Sequence, residues 1–127
     1  MTARAYVDSS CIVAVALREL TAKDVIQQLR EFAELSSNPL LDAEVRAACA
    51  REHVPLPAAT LETIKWTQMT RPLSSEIDRV LSAGYLRGAD CLHVATALYL
   101  SPDPEQLTFM TLDLRQRAVA DTLGFKT

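Results

Sequence analysis

Short apolar runs alternate with helix-like segments along this whole chain, and four of the apolar stretches are broken or closed by an acid. The alternation narrows the fold sharply. Strands separated one by one by helices return to the same sheet edge, and right-handed crossovers then give a mainly parallel sheet with helices on both faces. The strand-like runs are Ala5–Val7, Leu35–Ser37, Lys65–Thr70, Leu107–Leu112 and a last one starting at Phe125-Lys126. The expectation is a three-layer α/β/α sandwich around four or five mostly parallel strands, with residues 1–127 forming one domain.

The helix signals fall between these runs. Ser9 and Ser10 can cap a helix reaching Leu17. Thr21, with Asp24 three residues on, resembles a capping box and opens an amphipathic segment with Val25, Ile26, Leu29, Phe32 and Ala33 on one face. Asn38 followed by Pro39 is a strong start: an N-cap acceptor, then a proline whose missing N–H costs nothing. That helix runs to Glu52. Leu61–Ile64 ends a short helix after Pro55 and Pro57, and Ser74 or Ser75 caps another that stops near Gly84. Asp90–Leu100 is almost wholly apolar and so should be central and buried. Pro102 and Pro104 end it, and a final helix, Arg115–Leu123, stops at Gly124.

Composition bounds the function. With 49% hydrophobic and 23% charged residues the chain reads as globular, and no apolar run approaches the roughly 18 residues of a membrane span. The start goes straight into a strand-like run, so no signal peptide is expected. Three dispersed cysteines (Cys11, Cys49, Cys91) in apolar sequence suggest buried thiols in a reducing cytoplasm. A net charge of −3 argues against a protein that coats nucleic acid. It leaves open an enzyme whose bound cation reverses the local field.

The acids carry the chemistry. Asp8 follows Ala5-Tyr6-Val7, Glu44 lies in Leu41-Asp42-Ala43-Glu44-Val45, Asp90 breaks Gly88-Ala89-Asp90-Cys91-Leu92, and Asp113 closes Phe109-Met110-Thr111-Leu112. Burying an unpaired carboxylate costs several kcal/mol or forces it to take up a proton. Asp8 and Asp113 fall at the carboxyl ends of strands, where parallel sheets collect ligands. Glu44 and Asp90 sit near helix starts that can point at the same edge. A hard divalent cation, Mg²⁺ or Mn²⁺, is the simplest common reason, and phosphodiester hydrolysis the chemistry it would serve. Structural roles stand beside this one: Asp8 or Asp90 as helix caps, Glu44 as a helix-surface acid, Asp113 as a turn residue.

The segments Tyr6-Val7-Asp8-Ser9-Ser10, Ala43-Glu44-Val45-Arg46-Ala47-Ala48, Arg87-Gly88-Ala89-Asp90-Cys91-Leu92-His93-Val94-Ala95-Thr96-Ala97 and Thr111-Leu112-Asp113 resemble the acidic motifs of PIN-domain ribonucleases. Among these the chain is most similar to the VapC toxins of bacterial type II toxin–antitoxin systems. The resemblance runs over essentially the whole chain. It implies an α/β/α sandwich with Mg²⁺- or Mn²⁺-dependent endoribonuclease activity, RNA as substrate, a cognate antitoxin and a homodimer. By position it implies a site of Asp8, Glu44, Asp90 and Asp113, with Asp8 and Asp90 in the most direct contact with metal. Ser9 and Thr111 match positions that support the cluster. His93, three residues after Asp90, reads as a packed or hydrogen-bonded structural histidine, and His53 as surface. Arg46 and Arg87 suit either RNA phosphate, an antitoxin or surface ion pairs, and Trp66 and Met69 read as packing residues. The competing readings are a non-catalytic module of the same fold and, more remotely, a phosphoacceptor domain, for which Lys126 is the only late lysine.

Overall fold

The computed structural model describes residues 3–127. Four strands, β1 (Arg4–Val7), β2 (Glu34–Ser37), β3 (Ile64–Trp66) and β4 (Thr108–Met110), form one parallel sheet in the order β3-β2-β1-β4. Among the described residues six α-helices connect them, α1 (Ser9–Ala16), α2 (Ala22–Leu29), α3 (Leu40–Glu52), α4 (Ala58–Glu62), α5 (Ser74–Ala83) and α6 (Gly88–Leu100), and a seventh, α7 (Leu114–Leu123), follows β4. This is the expected α/β class with a three-layer arrangement.

Side-chain alternation along β1 divides the core. Tyr6 joins Phe109 and Phe125 in a cluster with Val80, Val94, Leu98 and Val119 from α5, α6 and α7. Ala5 and Val7 point the other way, onto Ile12, Val25, Leu41, Val45 and Leu61 from α1 to α4. Successive strand residues face opposite sides of a sheet, so one strand feeds both layers. β1 lies inside the sheet, pairing Ala5 with Leu35 of β2 and with Thr108 of β4. Its three apolar residues are fully buried. The Asp8 N–H continues the ladder to the Met110 carbonyl at 2.9 Å, which brings the loop after β1 against the loop after β4.

Some local expectations differ in detail. The run from Lys65 pairs only over Ile64–Trp66, because Thr67 N–H bonds to the Ser37 carbonyl and the chain then leaves the sheet. Phe125-Lys126 gives a single bridge, Thr108 to Lys126, rather than a fifth strand. α2 ends at Leu29, so Phe32 and Ala33 lie beyond it, and Thr21 is itself helical and makes no side-chain cap bond. α3 starts one residue later than expected, with Pro39 rather than Asn38 at its N-cap, although Asn38 Oδ1 still accepts from Leu40 N–H at 2.8 Å. Gly124 ends α7 in the left-handed region at φ 107°, a conformation that costs glycine little. Among the described residues, no helix is long and apolar enough to cross a membrane.

Candidate metal centre at the carboxyl edge of the sheet

Asp8 is the best-held acid. It is 3% exposed and sits one residue beyond β1. Its Oδ2 caps α1 by accepting from Ser10 N–H at 3.1 Å, and also accepts from the Thr111 hydroxyl at 3.3 Å. Its Oδ1 accepts from Gln116 Nε2 at 3.2 Å. Three donors from three different segments fix the position of this buried carboxylate.

Asp113 is exposed and caps α7, accepting from Gln116 N–H at 2.8 Å. The capping role allowed for Asp8 is therefore real, and Asp113, read from the sequence as a turn residue, is a helix cap; both keep acceptor capacity free, since a carboxylate has about four lone-pair sites. Asp90 behaves differently. It stands in the first turn of α6 but makes no cap bond; the N-cap position belongs to Arg87. Its carboxyl is raised above the usual range, first by burial and then by the charges of Asp8, Asp113 and Glu44, with His93 opposing. Asp90 is thus near enough to the other three acids to feel their charge. Glu44, partly buried on α3, gives its Oε1 to His93 Nε2 at 2.6 Å. As the side chains are placed, no three His, Cys, Asp or Glu groups among the described residues close around a single point that could hold an ion. Their chemistry nonetheless suits a hard cation: four oxygen-donor acids and no thiolate facing the same region.

Gln116 is a functional candidate that the sequence did not single out. It is fully buried on α7. Besides Asp8, its Nε2 donates to the Asp90 carbonyl at 3.2 Å, and its Oε1 accepts from the Thr111 hydroxyl at 2.6 Å. One amide therefore ties together the loops that carry Asp8, Asp90 and Asp113. Its only sequence signal is a glutamine at a position three after an acid, which reads as helix surface. Thr111 supports the cluster as expected, and Arg117 Nη2 fixes that loop by donating to the Thr111 carbonyl at 2.6 Å. Ser9 has no hydrogen bond to the acids among the described residues; its neighbour Ser10 takes that place, meeting the Thr111 hydroxyl at 3.3 Å and accepting from Leu112 N–H at 3.0 Å. The bonding expected of His93 is present, and His53 is exposed at the end of α3. Arg46 is spent in an exposed pair with Asp42 at 2.9 Å.

Asp90 and Asp113, two of the four acids, line a cavity of about 220 Å³ together with Leu86, Arg87 and Arg115. Neither arginine forms an ion pair among the described residues, so both remain free to meet an anion beside the carboxylates. A larger cleft of about 420 Å³ between Ile26, Leu29, Phe32 and Thr63 holds no acid or nucleophile. Compared with protein-family models, with curated proteins and with solved structures, the chain finds no match.

Proposed function

We propose that the protein is a Mg²⁺- or Mn²⁺-dependent endoribonuclease of the PIN-domain kind, acting as the toxin of a toxin–antitoxin pair in the cytoplasm. The observation that carries this reading is Asp8: a buried, hydrogen-bonded carboxylate at the end of an interior strand, with Asp90 beside it raised by burial and by the charges of Asp8, Asp113 and Glu44. Structural needs explain one capping acid at a time. They do not explain four that face one edge at an electrostatic cost.

Asp8 and Asp90 would hold the cation most directly, and Glu44 and Asp113 would complete its surroundings. When bound, such an ion polarises a phosphodiester and lowers the pKa of a coordinated water. The chain's own contributions are separate. Gln116 and Thr111 hold the Asp8 carboxylate in position, and Arg87 and Arg115 flank the opening where a phosphate would lie. An antitoxin that covers this opening and a homodimer belong to the same proposal, carried by the resemblance alone. The three buried free cysteines suit a reducing compartment.

The test is cleavage of a broad RNA panel by purified protein. Activity should require Mg²⁺ or Mn²⁺, stop with chelator, and vanish in Asp8→Asn and Asp90→Asn. A panel left intact by wild type with metal refutes the enzyme reading. One observation favours a second reading, a non-catalytic module of the same fold: Glu44 is engaged by His93, and the acids do not close around a point. Calorimetric titration with Mn²⁺ separates the two, since the module should bind none.

A further inference from the structure

We propose that Tyr85 is a base-stacking platform beside the carboxylates: an unpaired nucleotide lays its base on the exposed ring while Arg87 and Arg115 hold the phosphates next to it. The inference rests on the ribonuclease reading and adds a residue that selects the strand acted upon.

The loop between α5 and α6 is built to display this ring. Gly84 ends α5 in extended backbone, and a Cβ there would meet Val119 Cγ2 of α7 at 2.9 Å, so the loop is seated directly on α7. Leu86 is buried in the same cluster as Val80, Val94 and Val119, and Arg87 is again extended, at φ −64° and ψ 157°. Tyr85 and Arg87 flank Leu86 in the chain and are both exposed, as alternation along an extended segment predicts. A side chain held out on an anchored loop gives up little freedom when a ligand arrives.

Of the three tyrosines, two rings are already in use. Tyr6 is buried and stacked on Phe109 at 5.4 Å. Tyr99 has the Arg71 guanidinium 5.3 Å from its ring centre and a hydroxyl bonded to Thr70. Tyr85 is 70% exposed and has no aromatic or cationic partner among the described residues. It stands between two hollows of about 450 Å³ each. Tyr85 and Arg115 line one of them, and Tyr85, Leu81 and Leu86 the other. Arg115 and Leu86 also line the cavity that holds Asp90 and Asp113, so both hollows adjoin the carboxylates.

Charge decides what the ring meets. Arg87 and Arg115 are exposed and form no ion pair among the described residues. An apolar partner laid over Tyr85 would leave both guanidiniums without a counter-charge. A nucleotide supplies the two parts together, a flat base for the ring and phosphate for the cations. Every base has a face to stack, but a base inside a duplex already has that face covered. The site therefore takes RNA that is unpaired at the cleavage point.

The test is anisotropy of a short fluorescein-labelled RNA, as a single strand and as its duplex, added to the full chain in chelator so that nothing is cut. Wild type should prefer the single strand. Tyr85→Ala should bind it about tenfold more weakly with unchanged salt dependence, and Tyr85→Phe, which keeps the ring, should recover most of the loss. Arg87→Gln with Arg115→Gln should instead flatten the slope of log affinity against log salt by about 1.4, at roughly 0.7 for each phosphate contact. All three residues are exposed, so the variants are expected to fold. Equal binding by Tyr85→Ala, a duplex bound as tightly as the single strand, or no binding by wild type overturns the inference. So does a Tyr85→Ala chain that falls from dimer to monomer in sedimentation, because the ring then belongs to a contact between copies. A wild type that shows the expected binding yet cuts no RNA with Mg²⁺ or Mn²⁺ sinks the ribonuclease reading and leaves the stacking site in place.

Discussion

Replacing Gln116 isolates what holds a buried carboxylate in place inside this protein. Gln116→Leu preserves volume and apolar packing but removes one bond to the Asp8 carboxylate, one to the Asp90 carbonyl and one from the Thr111 hydroxyl. A bond to a charged group contributes about 1.5–3 kcal/mol and neutral ones about 1 kcal/mol each. Thr111 still reaches Asp8 Oδ2, and losses within one network are not additive, so the expected cost is about 3 kcal/mol. For a chain of this length that lowers Tm by about 10 °C. Gln116→Glu supplies the matched control. Its new carboxyl would face Asp8 in a buried site, which raises its folded pKa above the unfolded value of about 4.3. An acid raised in the folded state costs nothing below its unfolded pKa, and the cost grows as pH climbs through and beyond that value. Gln116→Glu should therefore match wild type near pH 4 and fall well below it at pH 7. Calorimetry at the two pH values reads both variants. A Tm loss under about 3 °C for Gln116→Leu, or a Gln116→Glu deficit independent of pH, would refute the view that Gln116 holds Asp8.

Asp90 gives the converse expectation. Its folded pKa is raised by burial and by its acidic neighbours, so its ionised form costs stability above the unfolded value of about 3.9 and nothing below it. Asp90→Asn should raise the Tm of metal-free protein at pH 7, by no more than about 3 °C because solvent screens a partly exposed group, with no gain at pH 3. Adding Mn²⁺ should stabilise wild type and leave the variant unmoved. A Tm that falls in metal-free Asp90→Asn would show that Asp90 is structural. Among the thiols, Cys11 is 1% exposed and pushed up to about 12, mainly by burial and then by Asp8. An aromatic disulfide reagent should label it only as fast as the protein opens, and fast labelling of native protein would contradict the packing around Asp8.

The end of β1 was readable because Asp8 closes an apolar run that could be nothing but core, whereas β4 stops at Met110, short of the Leu107–Leu112 run that Asp113 closes. The α3 start was readable because Asn38 and Pro39 have distinct backbone chemistry. Lys65–Thr70 alternates like a strand through Met69, yet edge pairing ends at Trp66, and which residues find a ladder partner is a property of the neighbouring strand. Ser9 and Ser10 are chemically identical at this level. Only the turn geometry after β1 makes Ser10 the one that reaches Thr111. Gln116 and the hydrogen-bonded chain Tyr6–His93–Glu44 were illegible for a related reason. They join residues from different elements, and a neutral amide or phenol carries no charge anomaly to mark it in a sequence.

The interior place of β1 has a consequence for the order of assembly. The first strand pairs with the last, and the bond from Thr111 to Asp8 closes a separation of 103 residues. Asp8 also takes its third donor from Gln116, 108 residues away. Long-range parallel pairing is slow because loop closure comes before the contacts that reward it. Asp8, the first acid made, therefore spends the folding reaction without its partners. The carboxylate edge is completed only when β4 and α7 dock, so a chain that has formed β1, β2 and β3 has most of its sheet while Asp8 still lacks Thr111 and Gln116.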